Sequence, residues 1–169
     1  MAFVIRPERD DDIAAIRAVN EAAFESSAEA ALVDSLRASG SPTLSLVAEE
    51  SGAVVGHVLF SPMMLPGHDA LKAWGLAPMA VLPRRQRQGI GSALVRAGVD
   101  ACRQRDADAV VVLGHPEYYP RFGFVPASRF GIRSEYDVPD DVFMIQELRE
   151  GALRGRTGTI RYHPAFASL

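Results

Sequence analysis

The chain has 169 residues, a length that closes one hydrophobic core. Apolar residues make up 48% and charged residues 23%, the balance of an ordinary globular protein. A formal net charge of -3 argues against a general nucleic-acid binder, which needs a basic face, and the single cysteine, Cys102, excludes an internal disulfide or a cysteine metal cage.

The start of the chain is acidic and lacks the long apolar run of a signal peptide, and no window reaches membrane-spanning length, so a cytoplasmic protein is expected. Residues 3–7 read as a first strand. Asp10, Asp11 and Asp12 supply capping acids for a helix over 13–24, where Ile13, Ile16, Val19 and Phe24 fall near helical spacing. A second helix is expected over 28–38, with Gly40 just past its end. Segments 43–50 and 53–65 read as strands on either side of a Ser51-Gly52 turn, and 72–82 as a third after the Pro66-Gly67 break. A polar loop leads into a helix from about residue 89 to 105, with Ile90, Leu94, Ala97 and Ala101 on one face. Residues 109–114 form a continuous apolar run, the pattern of a strand buried on both sides.

Strand, loop, helix and buried strand make a βαβ unit, so the strands ending at Val81 and Gly114 should run parallel, while the earlier, tightly connected strands should be antiparallel. The expected architecture is α/β, with a mixed central sheet flanked by helices on both faces. It is read as a single domain over 1–169, with its core at about 3–149 and an extension at 150–169. Residues 123–127 and 142–148 look like two further strands. Residues 158–164 look like an edge strand, a candidate to complete a dimer sheet.

The loop and helix start at 81–94, "VLPRRQRQGIGSAL", hold the most specific chemistry. Glycines at a helix start let backbone N–H groups point into a concavity where the helix dipole favours an anion. A Walker A loop would need Lys-Ser/Thr after the last glycine, but Ser92-Ala93 follow Gly91. A dinucleotide fingerprint would need a third small residue where Leu94 stands. The stretch does match Val-x-Pro-x-x-Gln-x-x-Gly-x-Gly through Val81, Pro83, Gln86, Gly89 and Gly91. Here the chain closely resembles the GCN5-related N-acetyltransferases (GNAT), whose acyl-CoA loop is Gln/Arg-x-x-Gly-x-Gly/Ala. The resemblance implies that family's acyl-CoA N-acyltransferase fold, with acetyl-CoA as co-substrate. It also implies a pyrophosphate cradle made of Gln86, Arg87, Gln88, Gly89, Ile90, Gly91 and Ser92, with Met79, Ala80, Val81 and Phe122 also at the coenzyme. Arg84, Arg85 and Arg87 supply cations suited to phosphate oxygens.

A second segment, "GHPEYYPRFGF" at 114–124, begins where the buried strand ends. In the family, a tyrosine four residues before a Gly-Phe pair often protonates the departing thiolate, and that count gives Tyr119, with Tyr118 as the alternative donor and plain core packing of both as the other reading. A tyrosine with an ordinary pKa near 10 stays protonated at neutral pH and can donate. By the same resemblance, backbone N–H groups near Met79–Val81 polarise the acetyl carbonyl. The glutamate base that many members carry on this strand is missing, since 72–82 holds no carboxylate. His115 and Glu117 are candidates for it, beside plainer capping or solvated roles. His57 reads as a satisfied sheet residue, and no metal-ligand spacing occurs. The expected activity is acetyl transfer from acetyl-CoA to a primary amine by direct attack in a ternary complex. The alternative is a CoA or acyl-CoA sensor without turnover.

Overall fold

The computed structural model describes residues 2–169. Its main sheet has seven strands in the order β1-β2-β3-β4-β5-β8-β6, formed by β1 (Val4–Pro7), β2 (Leu44–Glu50), β3 (Ala53–Met63), β4 (Ala73–Val81), β5 (Ala109–Leu113), β6 (Val125–Pro126) and β8 (Phe143–Glu147). Three helices accompany it: α1 (Ile13–Phe24), α2 (Ala28–Ala38) and α3 (Ile90–Gln104). The chain divides into two compact units. One holds the chain as far as Ser61 with Ala77–Asp100 and Ala165–Leu169, and the other holds Pro62–Leu76 with Ala101–Pro164.

In the first unit β1, β2 and β3 are antiparallel neighbours, and Ser51 and Gly52 close the β2–β3 hairpin at φ 52° and 81°. Ala48 pairs with Gly56 but Glu49 pairs with Val54, so Val55 bulges out of the ladder. Successive strand residues face opposite sides, and both sides of β3 are covered. A Cβ built on Gly56 would lie 3.0 Å from Ile90 Cγ2 and 3.1 Å from Leu94 Cδ1, which places α3 on that face. Next in sequence, His57 meets Asn20 of α1 on the other. Helix α3 buries Ile90, Leu94, Val95, Val99 and Cys102, while Ala97 and Ala101, expected on its apolar face, are only half-buried. Its register against the sheet is tight at Gly98, where a Cβ would stand 2.1 Å from Phe60 Cε1. The acids expected to cap α1 do not do so through a side chain: Asp12, at its N-cap, makes no side-chain bond to the helix, and its Oδ2 instead accepts the Arg9 N–H at 2.7 Å and the Arg6 guanidinium at 2.7 Å.

In the second unit, β4 and β5 run parallel as expected, pairing Ala73 with Ala109 through Gly75 with Val111. Strand β8 lies antiparallel to β5 on one side and to β6 on the other. Strand β6 is only two residues long, because Gly123 is left-handed at φ 98° and Pro126 has no N–H to donate. The tail departs from the sequence expectation. Strand β9 (Gly158–Ile160) does not edge the main sheet but pairs in parallel with β7 (Ile132–Ser134) in a separate two-stranded sheet, where Ile132 and Ile160 are buried. Strand β7 was absent from the sequence reading, being three residues long and polar at two of them.

Candidate functional site

The loop after β4 is built by short-range hydrogen bonds. Leu82 N–H donates to Val55 O at 2.9 Å, and Arg85 N–H donates to Leu82 O at 2.8 Å, closing a 3-10 turn that begins with Pro83. Gln86 Nε2 donates to Val81 O at 3.0 Å, so this side chain fastens the loop to the end of β4 and leaves the main chain to meet a ligand. Arg87 and Gly89 are both left-handed, at φ 62° and 88°, and nothing lies within 4 Å of a Cβ built on Gly89. Helical bonding is established where Ala93 N–H donates to Gly89 O at 3.0 Å; the first N–H groups of a helix have no partner within it. Left-handed residues next to such amides make an anion-binding concavity.

Among the sequence-predicted residues of this unit, Ile90 contributes only its backbone, because its side chain is buried against Gly56. Ala80 is buried, whereas Met79, Val81, Gly91 and Ser92 are half-buried and Arg87, Gln88 and Gly89 are exposed. Arg85 departs from the expected cation set. Its guanidinium donates to Glu50 Oε2 at 2.5 Å and to Gln88 Oε1 at 2.5 Å, and its side chain is only 14% exposed. Arg84 and Arg87 are the exposed cations of the loop.

In the second unit, the chain leaves β5 through Gly114, whose N–H donates to Val142 O at 3.0 Å. Tyr119–Phe122 form a 3-10 turn, closed when Gly123 N–H donates to Pro120 O at 3.1 Å. Tyr119 is buried, and its ring lies edge-on to Tyr118 at 5.1 Å and to Phe124 at 5.7 Å. Burial, reinforced by the neighbouring Tyr118, pushes the Tyr119 hydroxyl up to about 12, so it holds its proton at any physiological pH. Tyr118 is half-buried beneath the Arg121 guanidinium, and Phe122 packs edge-on to Tyr118 at 5.1 Å. Sequence reasoning missed Gly114: a Cβ there would stand 2.3 Å from Tyr119 Cε2, so only glycine lets the ring lie where it does. The two candidate bases differ little in setting, as His115 and Glu117 are both exposed and His115 O accepts the Tyr118 N–H at 3.1 Å. A cavity of about 310 Å³ opens in this unit, with Ile132 and Phe143 as apolar lining and Glu135, Tyr136, Asp137 and Asp140 around them.

His57 is fully buried in the first unit. Asn20 Nδ2 approaches its Nδ1 at 3.1 Å and Ser45 Oγ its Nε2 at 2.9 Å, while Ser45 Oγ donates to Glu8 at 2.8 Å. Burial, with Arg37 nearby, lowers its pKa to about 3, so it is a neutral packing residue, as expected. Among the described residues no three His, Cys, Asp or Glu side chains group as metal ligands, and no helix is long and apolar enough to cross a membrane.

The mixed seven-stranded sheet with its glycine-bearing loop after β4 matches known proteins. Residues 13–124 fit the model of the acetyltransferase (GNAT) family. The chain is 40% identical over 165 residues, 97% of its length and 98% of the relative's, to the uncharacterised N-acetyltransferase YhbS of Escherichia coli K12. A crystal structure of E. coli YhbS in complex with CoA superposes with a TM-score of 0.93, covering 98% of this chain and 92% of that one at 40% identity. A GNAT family acetyltransferase from Brucella melitensis in complex with acetyl-CoA superposes with a TM-score of 0.81 at 39% identity, covering 98% of both chains. The chain belongs to the acetyltransferase (GNAT) family, and it is an N-acyltransferase.

Proposed function

We propose that the chain is a single N-acetyltransferase domain that moves the acetyl group of acetyl-CoA to a primary amine by direct attack in a ternary complex. The observation that carries this reading is the loop at 86–91, with left-handed Arg87 and Gly89 at the mouth of α3. Amides there suit the diphosphate of CoA, with Arg84 and Arg87 adding charge. Two similar proteins, at 40% and 39% identity, hold CoA and acetyl-CoA in their crystal structures, which supports the same ligand here.

In this reading the amine nitrogen attacks the thioester carbonyl carbon, backbone N–H groups near Met79–Val81 stabilise the oxyanion, and the C–S bond breaks as the carbonyl re-forms. The amine, a cation in solution, first gives a proton to water or to a base such as His115 or Glu117 and attacks as the neutral species. The Tyr119 hydroxyl gives its proton to the leaving thiolate, and the second proton shed by the nitrogen after attack restores Tyr119. An acceptor amine approaches as a cation, and the cavity beside Phe143 carries Asp137, Asp140 and an Arg161-paired Glu135 against the one lining cation, Arg133. A backbone step links it to the tyrosine segment, because Gly114 N–H donates to Val142 O next to Phe143.

The experiment is isothermal titration with CoA and acetyl-CoA, followed by thiol release across a panel of amines. Binding of both, with turnover by the wild type, is expected; no binding by folded protein overturns the proposal. A second reading, a CoA or acyl-CoA sensor, is favoured by one observation: β4 (Ala73–Val81) carries no carboxylate to serve as base. Tight CoA binding without thiol release from any amine would decide for it.

A further inference from the structure

The loop assigned to the pyrophosphate is held from the sheet side by an ion pair whose carboxylate, Glu50, lies outside the acyl-CoA motif. We infer that Glu50 and Arg85 are a positioning pair for this loop, an inference that rests on the CoA reading above.

Glu50 is the last residue of β2. Ala48 and Glu50, two apart on a strand, share a face. A Cβ on Gly56 would sit 3.4 Å from Ala48 Cβ and 3.0 Å from Ile90 Cγ2, so that face is the one covered by the first turn of α3. Glu50 thereby points beneath the helix mouth. Its Oε2 accepts Arg85 Nη2 at 2.5 Å, Arg85 Nη1 continues to Gln88 Oε1 at 2.5 Å, and Gln88 Nε2 returns to Arg84 O at 3.3 Å.

One planar guanidinium thus joins the end of β2 to the residue that stands between the two left-handed positions, Arg87 and Gly89. Lysine could not do this, because a single ammonium lacks the rigid fork. The pair is largely out of water, with side chains 14% and 9% exposed, and Arg85 Nε is buried with no hydrogen-bond partner among the described residues. An arginine committed in this way does not bind phosphate itself. It sets where the amides around Gln88 stand, and a displaced donor binds and orients a ligand poorly.

The test compares Glu50→Gln, Arg85→Lys and the double variant Glu50→Leu/Arg85→Met with the wild type. Removing one partner strands a buried charge, whereas replacing both with apolar side chains of similar size is tolerated, so the double variant separates stability from positioning. Titration with CoA should show affinity weakened by about tenfold in Glu50→Gln and in the double variant, with Arg85→Lys giving no rescue. The KM for acetyl-CoA should rise in step while kcat stays within about twofold, because the acid at Tyr119 is untouched. Amide hydrogen exchange over 83–91 in the ligand-free protein should speed up in the double variant even where its melting temperature matches the wild type. A folded double variant that binds CoA like the wild type overturns the inference and leaves the CoA reading standing. A double variant that fails to fold also overturns it, assigning the pair to stability alone. A wild type that binds no CoA removes both together.

Discussion

The loop at 82–91 and the segment at 114–124 hold their functional groups in opposite ways. The loop exposes Arg84, Arg87, Gln88 and Gly89, and its shape comes from hydrogen bonds, two left-handed residues and a buried ion pair behind it. The tyrosine segment buries its key side chain among aromatic rings, and its shape comes from packing. The contrast follows from the tasks proposed for them. A diphosphate is strongly hydrated and is best met by fixed amides and cations at the surface. A proton donor must keep its proton until the thiolate forms, and a dry aromatic setting ensures that by penalising the phenolate.

If the division is right, substitutions should separate binding from chemistry. The largest effect is expected from Tyr119→Phe, which removes the donor and leaves the ring. Turnover should fall by about a hundredfold or more while CoA affinity by titration is unchanged. Tyr118→Phe, made in parallel, should fall far less, and the reverse order would move the acid to Tyr118. Next comes Gly114→Ala. Its methyl would meet Tyr119 Cε2 at 2.3 Å and Cδ2 at 2.9 Å, so the ring must shift. Turnover should drop on the order of tenfold or more, and stability by about 1–3 kcal/mol in a denaturant melt. An unaltered rate in that variant would mean the ring's placement is not what the chemistry requires.

The same contrast explains what the sequence made legible. The loop could be read because its requirements are local: a proline at the first position of a turn, glycines at a helix mouth and a fixed spacing from Val81 to Gly91. Counting back from Gly123-Phe124, as the family resemblance directs, singles out Tyr119, which the structure buries among aromatic rings. The parallel pairing of β4 with β5 followed from the length of the connection between them. What escaped were relations between residues distant in the chain. Glu50 is a carboxylate at the end of a hairpin strand, 35 residues from Arg85, and its sequence neighbours say nothing of an arginine partner. Gly114 looked like the end of an apolar run, yet its role depends on a ring five residues later that folds back on it. The β7–β9 sheet escaped for a related reason. Three-residue strands gain their order from the two buried isoleucines, Ile132 and Ile160, and not from any alternating pattern of their own.

A smaller effect is expected on the loop side from Gly89→Ala. The residue stands at φ 88°, so a side chain costs about 1–2 kcal/mol of backbone strain, but its Cβ meets nothing in the protein. CoA affinity should fall by about tenfold, the worth of one charge-assisted hydrogen bond, while kcat at saturating acetyl-CoA is kept. A loss of kcat with affinity intact would break the assignment of this loop to binding.

The smallest expected effect is an absence of change, and it tests the tyrosine side most directly. With its folded-state pKa pushed up to about 12, Tyr119 stays protonated through the alkaline range in which an ordinary tyrosine, near 10, would ionise. Turnover should therefore rise with pH as the acceptor amine loses its proton, then level off, with no descending limb centred near 10. The unfolded chain does ionise this tyrosine near 10. Between about 10 and 12 the unfolded state thus binds fewer protons than the folded one, and stability falls as pH rises through that window. Below 10 both states hold the proton and this group contributes no slope. A stability-pH curve for wild type and Tyr119→Phe should then diverge only above about 10, with the wild type losing more. A rate that declines around pH 10 while the protein is still folded would show a donor with an ordinary pKa, and would take the proton transfer away from the buried ring.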